Sequence, residues 1–167
     1  MNLYGTAPHN VTVNTMKIEK LTKDKLSTLT ELFDYNDVED MISRCTYEIE
    51  NGIRDIFVLY DNGTLVGELH AKYKSEDGNY AVHGRRAYLF AFRVREDCQN
   101  RGYGTYLLRE VLSALKEDGY SEFTVGVEDD NSRAIHMYQA MGFGEFVLRA
   151  KEEYQGDEYE YNLYLKR

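Results

Sequence analysis

A glycine-containing segment that follows an apolar run has the composition of an anion-binding turn. Residues 99–105 read Gln-Asn-Arg-Gly-Tyr-Gly-Thr and come shortly after the nearly all-apolar residues 87–94. Glycines at 102 and 104 leave successive backbone N–H groups unobstructed, and the first turn of a following helix adds partial positive charge. The segment therefore predicts either a pyrophosphate site supplemented by Arg101 or a plain glycine-rich helix start.

Two well-known phosphate-binding patterns do not match this segment. The Walker pattern fails because no Gly-Lys-Ser/Thr follows. A dinucleotide fingerprint needs a third glycine where the chain has Leu107, and it needs an acidic residue at the end of the next strand, whereas Glu122 precedes that strand.

A second segment places an amide and a phenol on one side of a predicted helix. Asn131 and Tyr138 are separated by seven positions in the run Asn-Ser-Arg-Ala-Ile-His-Met-Tyr-Gln-Ala-Met-Gly-Phe. Seven residues are close to two helical turns, so both side chains would face one groove. Taken alone, a tyrosine such as Tyr138 is more often just an aromatic residue at the edge of the core.

Together the two segments resemble the GCN5-related N-acetyltransferase (GNAT) family. The resemblance rests on Gln-x-x-Gly-x-Gly after an apolar strand and, some thirty residues later, Asn-x-x-Ala-x-x-x-Tyr-x-x-x-Gly-Phe. The order of predicted elements from Met16 to Leu165 is also similar to that of the family. The resemblance implies an acyl-CoA N-acyltransferase fold and a transferase that uses acetyl-CoA as co-substrate.

The same resemblance implies where acetyl-CoA would lie. It would occupy a splay between the strand ending at Val94 and the strand Phe123 to Val127. Asn131 would hydrogen-bond the pantetheine arm, and Tyr138 would stand near the thioester sulfur. One departure is Cys98, where the family often carries an aromatic residue. The other implied binding groups are main-chain atoms of Phe92, Arg93 and Val94 for the pantetheine, and Gln99 with the amides of Arg101, Gly102, Tyr103, Gly104 and Thr105 for the pyrophosphate.

The implied reaction is direct attack of a neutral primary amine on the thioester carbonyl, through a tetrahedral intermediate. A main-chain N–H near Val94 would hold the oxyanion. Tyr138 would act as general acid or as hydrogen-bond donor to the thiolate. Because a phenol of pKa about 10 protonates a thiolate of about 8.5 uphill by roughly 2 kcal/mol, donation without full transfer is the easier role.

The general base and the acceptor are left open by the sequence. Glu68, His70 and Glu128 are base candidates by location, and each is also explained by a solvated surface role. The acceptor would be a cationic small molecule such as a polyamine or aminoglycoside, or a peptide amine. Two alternatives are a non-catalytic acyl-CoA-binding sensor of the same fold and a plain α/β interaction module.

The elements that must position these residues follow from periodicity and turn residues. They predict a mixed α/β sheet of six or seven strands with helices on both faces, in one domain over residues 16–167 after a flexible arm over residues 1–15. The expected order is a strand from Met16 to Leu21, helices over 22–33 and 37–50, a hairpin of 56–60 and 64–73, a strand over 87–94, a helix ending at Gly119, a strand over 123–127, a helix over 131–141, and a hairpin of 143–154 and 158–165.

Composition limits the partners of the chain. It has 167 residues, 43% of them hydrophobic, with 29 acidic against 20 basic side chains and a net charge of -9. Such a balance disfavours nucleic acid and anionic membranes as partners. The two cysteines and four histidines do not have the spacing of metal ligands, so the sequence predicts no metal site. The absence of a secretory pattern predicts a cytoplasmic protein.

Alternating tyrosines near the C-terminus predict one half-buried sheet face, which could offer the edge of a homodimer.

Overall fold

A seven-stranded mixed sheet organises the part of the chain that the structure describes. The structure is a computed structural model that describes residues 15–167, so the predicted arm lies, except for Thr15, outside the described residues. The strands are β1 (Met16–Lys20), β2 (Arg54–Asp61), β3 (Thr64–Lys72), β4 (Arg86–Val94), β5 (Glu122–Val127), β6 (Glu145–Tyr154) and β7 (Asp157–Lys166). The helices are α1 (Val38–Glu50), α2 (Tyr103–Glu117) and α3 (Ser132–Ala140), with 3-10 helices at Lys23–Glu31 and Glu96–Cys98.

The strand order is β1-β2-β3-β4-β5-β7-β6, and only the β4–β5 pair is parallel. Alternating strand residues are buried in two clusters on opposite faces of the sheet. One face packs against α2 and α3, and the other, here called the α1 face, packs against α1 and the 3-10 helix Lys23–Glu31. The predicted fold class is therefore confirmed. None of the helices within residues 15–167 combines the length and apolar character that a bilayer crossing demands.

Both predicted hairpins are present, and their turns explain their registers. Asn62 and Gly63 have φ of 49° and 80°, and Gln155 and Gly156 have φ of 53° and 89°. Two consecutive left-handed residues are typical of a type I′ turn, whose twist matches that of antiparallel strands. These turns fix β2 against β3 and β6 against β7.

The helix predicted over residues 22–33 is a 3-10 helix instead of an α-helix. Its buried side chains, Leu26 and Leu29, recur at a spacing of three, which is the period of a 3-10 helix. Thr28 and Thr30 each donate a side-chain hydrogen bond of 2.7 Å to the carbonyl three residues earlier. These hydroxyls compete for carbonyl oxygens that an α-helix would use.

The two parallel strands separate part of the way along their length. Paired residues of β4 and β5 end at Leu89 and Val125, although β4 continues to Val94. Just beyond that point Ala91 has φ of 48°, and the β3–β4 register shifts by one residue. A bulge of this kind bends the strand. It therefore accompanies the opening of β4 away from β5.

Candidate active site

A cleft of about 1090 Å³ occupies the opening between β4 and β5. The turn that precedes α2, helix α3 and the C-terminal hairpin also line it. The sequence-predicted residues that line the cleft are His70, Phe92, Arg93, Val94, Gln99, Gly102, Tyr103, Gly104, Thr105, Glu128, Asn131 and Tyr138. Two other predicted site residues do not line the cleft. Arg101 is exposed to solvent, and Glu68 is fully buried.

The turn before α2 presents backbone amides without helical acceptors. The first amide of this region to find such an acceptor is that of Tyr106, which donates to the carbonyl of Gly102 at 3.1 Å. The amides of Tyr103, Gly104 and Thr105 precede it and belong to the unsatisfied first turn. Left-handed φ values at Asn100 (63°) and Gly102 (84°) curl the chain ahead of them. The result is a concave row of N–H donors suited to an anion.

Close packing holds this turn against β4. A Cβ on Gly104 would lie 3.5 Å from both Phe92 and Val94, and the Gln99 side-chain amide donates to the Val94 carbonyl at 3.1 Å. Cys98 is buried beneath the turn as part of the core. The Tyr103 hydroxyl donates to Asp61 at the end of β2. The backbone N–H groups of this turn are therefore held in place by contacts to β4 and β2.

Tyr138 lines the cleft from helix α3. Its side chain is 8% exposed and packs against Phe92 and Phe143, with ring centroids 6.5 and 5.6 Å away. Among the described residues its hydroxyl has no hydrogen-bond partner, and the residue lines the cleft. Burial raises the pKa of Tyr138 well above its usual value. The phenol therefore stays protonated and can donate a hydrogen bond into the cleft.

Asn131 is divided between a structural and a ligand-binding role. Its side-chain oxygen accepts from the amide of Ala134 at 3.1 Å and caps the start of α3. That bond fixes the orientation of the side chain at the wall of the cleft. The NH₂ group, which the cap does not use, is the part of Asn131 that can bind a ligand.

Glu68 and His70, two of the predicted base candidates, lie in a buried polar network on the α1 face. Glu68 is 0% exposed, and its carboxylate accepts from Nε2 of His70 at 2.8 Å and from Arg93 at 2.9 Å. Nδ1 of His70 lies 3.1 Å from Arg54, which can only donate. The proton of a neutral imidazole must therefore sit on Nε2, where it reaches Glu68.

Burial and the neighbouring positive charges keep His70 neutral. Burial lowers the pKa of His70 most, Arg54 and Arg93 lower it further, and together they outweigh Glu68, which raises it. Burial also raises the pKa of Glu68, but the hydrogen bonds from His70 and Arg93 outweigh it and hold that pKa below its usual range. Arg54 is in turn paired with Glu48 of α1 at 2.5 Å. Both candidates are thus fully engaged, whereas Glu128 is exposed and lines the cleft.

A second carboxylate, missed by sequence reasoning, lines the cleft on β6. Glu152 accepts from Tyr161 at 2.7 Å and from Tyr159 at 2.9 Å, both on β7. All three line the cleft. The alternation of β7 indicated that its tyrosines share a face, but nothing local to Glu152 indicated that it joins them. Within residues 15–167, no three His, Cys, Asp or Glu side chains are grouped as metal ligands would be.

Comparisons with known proteins agree with this geometry. The model of the acetyltransferase (GNAT) family matches residues 19–143. The chain is 33% identical over 81 residues to a mycothiol acetyltransferase of Propionibacterium freudenreichii, covering 48% of this chain and 24% of that protein. It is also 33% identical over 63 residues to the ribosomal protein bS18-alanine N-acetyltransferase of Escherichia coli K12, covering 38% of this chain and 43% of that protein. The chain thus spans less than half the length of these relatives.

A solved structure extends the likeness across most of the chain. The Salmonella typhimurium protein yncA, determined with its cofactor acetyl-CoA, superposes with a TM-score of 0.69 at 18% identity. The alignment covers 91% of this chain and 93% of that one. At this identity the likeness concerns the fold.

Proposed function

The chain belongs to the acetyltransferase (GNAT) family, and we propose that it transfers an acetyl group from acetyl-CoA to the primary amine of an acceptor. The family match covers β4, β5, α2 and α3, and it ends before the C-terminal hairpin that also lines the cleft. The observation that carries the proposal is the presence of two features in that cleft. They are the unsatisfied backbone amides of the first turn of α2 and the hydroxyl of Tyr138, which has no hydrogen-bond partner within residues 15–167.

The residues present fit acetyl-CoA. Its pyrophosphate would accept from the amides of residues 101–105, with Arg101 adding positive charge from the exposed side. Its pantetheine arm would lie along β4, where pairing with β5 has ended, and would meet the NH₂ group of Asn131. When bound, acetyl-CoA supplies a thioester carbonyl open to attack by a neutral amine.

Tyr138 is proposed as the hydrogen-bond donor to the leaving sulfur. With ordinary pKa values of about 10 and 8.5, proton transfer from a phenol to a thiolate is already uphill by roughly 2 kcal/mol. Burial raises the pKa of Tyr138 further, so full transfer is harder still. A hydrogen bond to a developing negative charge requires no such transfer.

Glu128 is proposed as the group that receives the proton of the amine, directly or through water. It lies just past the end of β5, is exposed and lines the cleft. Glu68 and His70 would first have to break their hydrogen bonds to each other, to Arg93 or to Arg54. We propose that these two position β3 against β4.

The test is release of free thiol from acetyl-CoA over a panel of primary amines, together with calorimetric binding of acetyl-CoA. The proposal expects binding and amine-dependent thiol release. Binding without thiol release on any amine of the panel would instead support an acyl-CoA sensor of the same fold. The absence of binding would support neither function.

A further inference from the structure

An aromatic floor lies on the α1 face beside the opening between β4 and β5. Tyr88 and Phe90 project there from β4 and stack with ring centroids 5.3 Å apart and planes 8° from parallel. Tyr159 and Tyr161 project on the same face from β7, with centroids 6.0 Å apart. All four line the cleft. The Phe90 ring already lies beneath the guanidinium of Arg54, and the faces of the tyrosine rings can stabilise a positive charge or cover an alkyl chain.

The far edge of this floor carries the carboxylate of Glu152. The hydroxyls of Tyr159 and Tyr161 donate to its two different oxygens, so the group is held in place from both sides. A third hydroxyl, that of Tyr80, lies 2.6 Å from that of Tyr161 and extends the support. A carboxylate can accept about four hydrogen bonds, so two of these bonds leave capacity for a ligand. Glu152 is exposed and remains open to the cleft.

Glu152 is too far from the site of transfer to act on the reacting amine. The acetyl group would be presented where β4 leaves β5, whereas Glu152 is on β6, two strands beyond β5 in the order β5-β7-β6. Two strand spacings amount to about 10 Å. A positive charge bound at Glu152 would therefore belong to a different part of the acceptor.

Among residues 15–167, the arginines and lysine that line the cleft are Arg44, Arg54, Lys72, Arg93 and Arg133. Arg54, whose guanidinium lies 4.8 Å from the centroid of the Phe90 ring in the floor, is paired with Glu48, and Arg93 is paired with Glu68. Arg44 is on α1, 4.0 Å from Asp40, Lys72 is on β3, across the floor from β6, and Arg133 is on α3, which packs on the opposite face of the sheet. An acceptor reaching toward β6 thus moves away from these charges and toward Glu152.

We propose that the acceptor is an aliphatic diamine or polyamine whose non-reacting ammonium group binds Glu152 over the tyrosine rings. The inference rests on the proposed acetyl transfer, because that reaction defines which end of the acceptor reacts. The net charge of -9 adds a weak attraction for such a cation.

The first experiment measures binding without acetyl-CoA. Three amines of similar length differ only at the end that does not react. Hexamethylenediamine carries a second ammonium group there, hexylamine carries no charge, and ε-aminocaproate carries a carboxylate. Calorimetry on the full chain should show hexamethylenediamine bound about tenfold or more tighter than the other two. Equal affinities, no binding of the diamine, or tighter binding of ε-aminocaproate would overturn the proposal.

The second experiment compares the amines as acceptors in Glu152→Gln. In the wild type, KM for hexamethylenediamine should be about tenfold below that for hexylamine. This preference should disappear in Glu152→Gln and persist in Glu153→Gln, because Glu153 is the next residue on β6 and faces the other side. A preference that survives Glu152→Gln would refute the assignment.

The two proposals fail in different ways. If the protein binds acetyl-CoA and acetylates hexylamine and the diamine equally well, the proposed function stands and the inference about Glu152 fails. A chain that does not bind acetyl-CoA loses the proposed function, whereas the calorimetric comparison of amines still decides whether Glu152 binds a cation.

Discussion

Gly126 lies so close to the ring of Tyr161 that a Cβ on Gly126 would come within 2.7 Å of Tyr161 Cδ2. The ring cannot easily yield, because its hydroxyl is held by Glu152 and Tyr80. We therefore expect Gly126→Ala to displace Tyr161, to lower the free energy of unfolding by about 1–3 kcal/mol, and to raise KM for diamine acceptors. Steady-state kinetics and chemical denaturation measure both effects.

Gly144→Ala is the matched control for that substitution. A Cβ on Gly144 meets nothing within 4 Å, and its backbone is not left-handed. Gly144→Ala should therefore leave KM for diamine acceptors unchanged. If Gly126→Ala also leaves KM for diamines unchanged, Tyr161 does not shape the acceptor side of the cleft.

Tyr138→Phe should lower kcat about 10- to 100-fold, because a hydrogen bond to a charged group contributes about 1.5–3 kcal/mol. The affinity for acetyl-CoA should stay the same, since the ring and its packing on Phe92 and Phe143 are kept. Tyr47→Phe, at a site 61% exposed on α1, is the control. An unchanged kcat in Tyr138→Phe would remove this hydroxyl from the mechanism.

Glu128→Gln should flatten the acid limb of the pH–rate profile, because the variant no longer has a carboxylate that must be ionised to accept the proton of the amine. Asp130→Asn, two positions away and also exposed, should retain the limb. A normal acid limb in Glu128→Gln would show that another group, or water alone, receives the proton.

Stability should fall on acidification through His70. Burial lowers the folded-state pKa of His70 below its ordinary value of 6.5, so the unfolded chain binds this proton first. The free energy of unfolding is then highest above pH 6.5 and declines below it, by at most about 1.4 kcal/mol per pH unit for one proton. Glu68, whose pKa is also lowered, contributes in the same direction only below its ordinary value of 4.5.

Urea unfolding between about pH 7 and pH 5 isolates the histidine contribution. His70→Gln should reduce the decline, and His83→Gln, at an exposed loop position, should not. NMR of the wild-type ring provides a second measurement that does not depend on how well the variant folds. A His70 imidazole that becomes charged near pH 6.5 would contradict the neutral Nε2–H form.

The geometry of the turn before α2 and of helix α3 was predictable because its signals are local. The left-handed Gly102, the close approach of Gly104 and the two-turn spacing of Asn131 and Tyr138 each depend on a few consecutive residues. The same holds for the Asn62-Gly63 turn, which specifies the β2–β3 hairpin.

The contacts of the C-terminal hairpin and of the Glu68–His70 network were not predictable in this way. Glu152 reaches Tyr159 only because β6 pairs with β7, and Tyr161 reaches Gly126 only because β7 inserts next to β5. The burial of Glu68 and His70 likewise depends on Arg54, which β2 supplies across the sheet. Sequence periodicity identifies a shared face, but it does not identify which strand will lie beside it.

Amide NMR during titration with acetyl-CoA tests the central claim most directly. The signals of residues 101–105 should shift as their N–H groups bind the pyrophosphate, and S-acetylpantetheine, which lacks it, should leave them in place. Unmoved signals in this turn at saturating acetyl-CoA would contradict the account.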